Sequence, residues 1–70
     1  MNNKFSISAV VPVLNEEGSL NQFYKELKTV LNDFSKHEIL FIDDGSDDNS
    51  SEIMKTILEK DPKVTLIQFH

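Results

Sequence analysis

Seventy residues make one domain at most, and a chain of this size buries only about 60% of the surface its unfolded form exposes. Seven lysines against twelve acidic residues leave a net charge of −5, and without a single arginine the chain lacks the clustered positive charge that a nucleic-acid backbone requires. The absence of cysteine excludes disulfide scaffolds, thiolate metal sites and cysteine nucleophiles, and no apolar run approaches the ~20 residues that span a bilayer.

The first predicted element is a strand over Phe5–Leu14 (FSISAVVPVL). It is rich in β-branched residues and mostly apolar, which suits a parallel strand covered on both faces. Pro12 cannot donate to a ladder, so the strand is expected to end there or to lie at an edge. Asn15-Glu16-Glu17-Gly18 follows as a polar loop. Leu20, Phe23, Tyr24, Leu27, Val30, Leu31 and Phe34 then form an apolar stripe with a period of 3.6, predicting a helix over 18–35. Ser19 and Gln22 have the spacing of a capping box.

After a polar break at Ser35-Lys36-His37, the run Glu38–Ile42 (EILFI) reads as a second buried strand. It leads directly into Asp43-Asp44-Gly45-Ser46-Asp47-Asp48-Asn49-Ser50. Asn49 and Glu52 have N-cap and N3 spacing, so a second helix is expected from about residue 50. Its apolar face is Ile53, Met54, Ile57 and Leu58, and Lys60-Asp61-Pro62 stops it. Val64–Phe69 (VTLIQF) is the third strand.

The order β-α-β-α-β implies right-handed crossovers and a three-stranded parallel sheet. Ligands of such sheets sit at the carboxyl ends of the strands. Both polar loops, 15–18 and 43–49, follow strand carboxyl ends and are expected side by side. They hold six of the twelve acidic residues: Glu16, Glu17, Asp43, Asp44, Asp47 and Asp48. Like charges gathered at one edge repel, so the gathering calls for a reason beyond solubility. Asp47, Asp48 and Asn49 read as turn and cap residues that favour the following helix dipole. Glu17 reads as a solvated carboxylate. Asp43 and Asp44, at a strand end, read as functional, and composition leaves Glu16 open.

Several sharper motifs fail on spacing. An EF-hand starting at Asp43 would need Gly at 48 and Glu at 54, where Asp48 and Met54 stand. No Gly-rich phosphate loop and no GxGxxG is present. A D-x-D-G-T/S phosphotransfer motif would put its nucleophile at Ile42, which cannot attack. Ser46 has no nearby base, and His37 and His70 read as surface residues. What remains is a carboxylate-rich notch with few cations. Carboxylates accept hydrogen bonds, so the notch suits N–H and O–H donors such as a base edge or ribose and sugar hydroxyls.

Two segments, VVPVLNEEGSL at 10–20 and FIDDGSDDNS at 41–50, resemble the opening motifs of inverting family 2 glycosyltransferases. The spacing between them and the helical stripe agree with that family over residues 7–69. The resemblance implies a GT-A fold, of which residues 1–70 would be the Rossmann-like, nucleotide-binding amino-terminal half-domain, truncated before the metal motif. It implies transfer of a sugar from a UDP- or GDP-linked donor with inversion. The subgroup it is most similar to uses a polyprenyl phosphate as acceptor.

Carried over to this sequence, the P-x-[YF]-N-E motif places Pro12, Leu14 and Glu16 beside the nucleotide base and ribose. Leu14 departs from the aromatic frequent at that position, which weakens stacking on the base. The I-D-D-G-S motif places Ile42 and Asp44 at the nucleoside, with Asp43 adjacent, and Asn15 fixes the loop. A divalent metal, Mg or Mn, is implied for the full-length protein, with its ligands and the catalytic base outside this segment. The resemblance also implies activity in the cytoplasm, at the cytoplasmic face of a membrane that this segment does not itself contact. The rival reading is a stand-alone α/β interaction module without catalysis, and the exposed edge at Val64–Phe69 is expected to promote dimers.

Overall fold

The computed structural model describes the backbone from Asn3 to Phe69 and side chains from Ser6 to Phe69. Five elements alternate: β1 (Asn3–Val13), α1 (Leu20–Leu31), β2 (Phe34–Asp44), α2 (Ser50–Lys60) and β3 (Val64–Phe69). The strands form one parallel sheet in the order β1-β2-β3. This is the expected Rossmann-like β-α-β-α-β half-domain.

Strand alternation decides what each face carries. Val13, Ile39, Phe41, Val64 and the two helices' Leu20, Leu31, Met54 and Ile57 form the buried core. The intervening residues lie on the opposite face, where Val10 is 58%, Ile67 41% and Phe69 56% exposed. The strands were expected to be covered on both faces. Instead both helices pack on one face, because strands stepping in one direction with crossovers of one hand return to the same side each time. The bare face carries register neighbours Val10 and Leu40, then Pro12, Ile42 and Ile67.

The bounds of three elements differ from the sequence reading. The first helix ends at Leu31, not 35, and Phe34 opens β2 instead of closing the helical stripe. Within that stripe Phe23 and Val30 are exposed, while Leu20 and Leu31 are buried. Secondly, β2 begins at Phe34, runs through the polar Ser35-Lys36-His37 and ends at Asp44, so Asp43 and Asp44 belong to the strand and not to the following loop. Phe34, Lys36 and His37 pair with Asn3, Ser6 and Ile7, with a bulge between Asn3 and Ser6. A long neighbouring strand supplies ladder partners that override local polarity. Thirdly, β1 begins at Asn3 and ends at Val13. Pro12 stays inside it, paired with Ile42, which is tolerated because β1 is an edge strand.

Neither predicted side-chain cap forms at the helix starts. The backbone carbonyl of Glu16 accepts the Ser19 and Leu20 amides instead, at 3.1 and 3.0 Å. Gln22 turns along the helix to Glu26 at 3.0 Å. The stop at Lys60-Asp61-Pro62 falls where expected.

His37 is not a plain surface residue. It is half-buried, with Nε2 2.9 Å from the Lys28 ammonium. Lys28 also pairs with Asp61 at 3.0 Å, and the Tyr24 hydroxyl donates to the same Asp61 oxygen at 2.6 Å. Burial and the adjacent Asp61 push the Tyr24 hydroxyl up to about 12. Burial raises Asp61, but hydrogen bonds from Tyr24, the Lys63 amide and Lys28 outweigh it and hold the carboxyl at about 2. The reading of His70 lies outside the described residues.

Candidate functional site

The sheet register brings the two acidic loops together. Val13 and Asp43 are direct neighbours at the ends of β1 and β2. From there each chain needs a sharp turn. Gly45 takes a φ of 83°, a conformation that costs glycine nothing, and Asn15 takes a φ of 53°, which Asn tolerates better than most residues.

Four hydrogen bonds then stitch loop to loop. The Asn15 amide donates to Ser46 Oγ at 3.1 Å, and the Asp47 amide donates to Asn15 Oδ1 at 2.7 Å. The Glu16 amide donates to Ser50 Oγ at 2.8 Å, and the Glu17 amide to Asp48 Oδ2 at 3.2 Å. Asp48 also receives the Ser50 amide at 2.9 Å. Its carboxyl is held below the ordinary range, first by the Ser50 side chain and then by the Ser50 and Glu17 amides, against the upward push of burial. Asp48 is therefore more than the turn and cap residue expected, since it also ties the other loop in place.

The residues singled out from the sequence fall into distinct positions. Glu16 is exposed, and its Oε2 accepts the Ser19 hydroxyl at 3.2 Å. With Pro12 it lines a cavity of about 260 Å³ between β1 and α1. Val11, Val13, Leu20 and Phe23 supply the apolar wall and Ser19 the other polar group. Pro12 and Ile42 are register partners on the bare face. Leu14 is 52% exposed. Asp44 is exposed and stands beside Phe69 in the register.

Asp43 lies on the helix-covered face and is 3% exposed. Its Oδ1 accepts the Ser46 amide at 2.9 Å, shaping the turn, and Gln68 Nε2 stands 3.4 Å from Oδ2. Gln68 also donates to Ser51 Oγ at 2.6 Å. Asp43, Asp44, Leu14 and Ile42 do not line the cavity that holds Glu16 and Pro12. The carboxyl ends of β1 and β2 thus meet at one end of the sheet, with Glu16 on the α1 side and Asp44 on β2.

Ser50 escaped the sequence reading. It is fully buried at the first turn of α2, and its hydroxyl grips the backbone of the other loop. Its spacing is that of an ordinary helix-start serine, and nothing local signals a partner 34 residues away. Among the described residues, no three Asp, Glu or His side chains converge in a way that would hold a metal ion. No helix among them is long and apolar enough to cross a membrane.

The chain is similar to several longer proteins. It is 40% identical over 70 residues to the uncharacterized glycosyltransferase YkcC of Bacillus subtilis (strain 168), a match covering 99% of this chain and 22% of that protein. It is 47% identical over 49 residues to the undecaprenyl-phosphate 4-deoxy-4-formamido-L-arabinose transferase of Salmonella choleraesuis (strain SC-B67), covering 69% of this chain and 15% of that protein. It is 41% identical over 69 residues to a prophage bactoprenol glucosyl transferase homolog of Escherichia coli (strain K12), covering 90% and 21%. The chain spans about one-fifth of the length of the curated relatives it matches. No solved structure matches it. The glycosyl transferase family 2 model matches residues 8–70, taking in both acidic loops and all but the start of β1, and the chain belongs to that family.

Proposed function

We infer that this chain supplies the nucleoside-binding half of the donor site of a glycosyltransferase. The parent protein transfers a sugar from a UDP- or GDP-linked donor, with inversion, to a polyprenyl phosphate at the cytoplasmic face of a membrane. The observation that carries this reading is the hydrogen-bonded pairing of the two acidic loops at the carboxyl end of the sheet. Relatives whose names specify undecaprenyl-phosphate or bactoprenol sugar transfer support the choice of acceptor.

In this reading Glu16 and Asp44 accept hydrogen bonds from the base and ribose, as exposed carboxylates do for N–H and O–H donors. Pro12, Leu14 and Ile42 offer the apolar surface against which the base rests. Asp43, already bonded to the Ser46 amide, holds the loop that carries Asp44. The divalent metal that offsets the leaving diphosphate is assigned to polypeptide outside residues 1–70, as is the catalytic base. The segment alone therefore binds without turning over.

Titration of the isotope-labelled chain with UDP and with GDP tests the reading. Backbone shifts are expected in 12–18 and 42–46, with millimolar or tighter affinity. A titration without shifts at millimolar nucleotide would count decisively against a nucleoside site here.

The exposed apolar residues Val10, Ile67 and Phe69 on the sheet face opposite the helices favour a second reading, an interaction module that docks a protein partner without catalysis. An unpaired strand edge beside exposed Ile67 and Phe69 is a template for self-association. Light scattering on the isolated chain is expected to show dimers or larger species growing with concentration. A monodisperse monomer at high concentration would favour the autonomous module, whereas dimers or larger species would favour a segment whose sheet edge is normally paired.

A further inference from the structure

We propose that Ser50 is a positioning residue for donor binding, acting through Glu16. The proposal rests on the nucleoside-binding reading above. Glu16 is held from three sides. Its amide donates to Ser50 Oγ at 2.8 Å, its carbonyl accepts the Ser19 and Leu20 amides that start α1, and its Oε2 accepts the Ser19 hydroxyl. Its Oε1 accepts no hydrogen bond among the described residues, which leaves an oriented acceptor for a ligand. The backbone bonds of Glu16 therefore join the two helices: the carbonyl caps α1 and the amide hangs from the first residue of α2.

Ser50 is the firmest of these anchors because it is fully buried, and its own geometry is set by Asp48. A buried hydroxyl that accepts an amide cannot be replaced by water without opening the packing around it. Removing it orphans the Glu16 amide and frees the turn that aims the carboxylate. The distance in sequence is 34 residues, so the β2–α2 connection sets the aim of a side chain on the β1–α1 connection. A ligand that touches Glu16 is thereby sensitive to a residue that does not touch it.

The test is a double-mutant cycle on the full chain, with UDP and GDP as probes and the NMR titration as readout. Ser50→Ala is expected to weaken nucleotide binding about tenfold while the amide signals of α2 keep their native positions. Ser50→Thr, which retains the hydroxyl, should restore affinity. Glu16→Gln should weaken binding by itself, and adding Ser50→Ala to it should cost little more, since the aimed carboxylate is already gone. Ser50→Cys keeps the volume with a weaker acceptor and replaces Ser50→Ala if that variant loses the α2 signals. Unchanged affinity in the folded Ser50 variants, or losses that multiply fully with Glu16→Gln, would overturn the positioning role and leave the nucleoside reading standing. A wild-type chain that binds neither nucleotide would overturn both.

Discussion

Phe41→Ala is expected to leave most of the chain unfolded in water at room temperature. Phe41 is the largest side chain fully buried in the core and sits on the central strand, β2. Deleting a buried phenyl ring costs about 3–5 kcal/mol, part transfer and part cavity. A 70-residue domain has a total stability of roughly 3.5–10 kcal/mol at usual per-residue values, and a sheet bare on one face belongs near the lower end. The loss is therefore comparable with the whole. Urea titration followed by circular dichroism should show no cooperative transition, or one displaced close to zero denaturant. Phe69→Ser is the control: at 56% exposure on the bare face it should move stability by only about 0.5 kcal/mol and should improve solubility. A Phe41→Ala midpoint near that of the wild type would mean that β2 does not carry the core.

Asp61→Ala should be the most costly polar change, by about 2–4 kcal/mol. Asp61 is 8% exposed and gathers the Tyr24 hydroxyl, the Lys28 ammonium and the Lys63 amide. Removing it leaves a part-buried hydroxyl and ammonium without their anion. The pH dependence has a definite sign. The Asp61 carboxyl is lowered from 3.8 to about 2, so its contribution is present above about pH 4 and lost as the pH falls towards 2. The Tyr24 hydroxyl is raised from 10.0 to about 12, so its contribution is present below pH 10 and lost as the pH rises towards 12.

Both shifts describe the same Tyr24–Asp61 contact and are not summed. The acid limb is worth roughly 1–2 kcal/mol once partial solvent access to Lys28 is allowed for. Asp61→Asn should flatten the stability profile between pH 2 and 4. An unaltered acid limb in that variant would show that another carboxylate controls it.

The same contact shows where the sequence was legible and where it was not. Tyr24 was read as one more apolar position in the α1 stripe, and its ring does pack against the core. Its hydroxyl partner lies 37 residues on, after α2. Nothing in a window of one helix announces it. Asp48 and Ser50 repeat the lesson: both have the spacing of ordinary helix-start residues, and both turned out to hold the β1–α1 loop. Such bonds depend on which loops the sheet register sets side by side, and register is a property of strand pairs.

Local pattern determined more than half of the architecture. The existence of the first helix, the run EILFI, the stop at Pro62 and the order β-α-β-α-β all follow from periodicity and from backbone chemistry acting over a few residues, although the apolar stripe carried the helix too far, to Phe34. Short-range forces are written in short stretches of chain. Tertiary structure alone decided that the polar Ser35–His37 would be strand, that both helices would pack on one face of the sheet, and that Ser50 would hold Glu16. Each of these depends on a partner distant in sequence, whose approach is set by chain crossing and strand pairing and so leaves no mark in the local pattern.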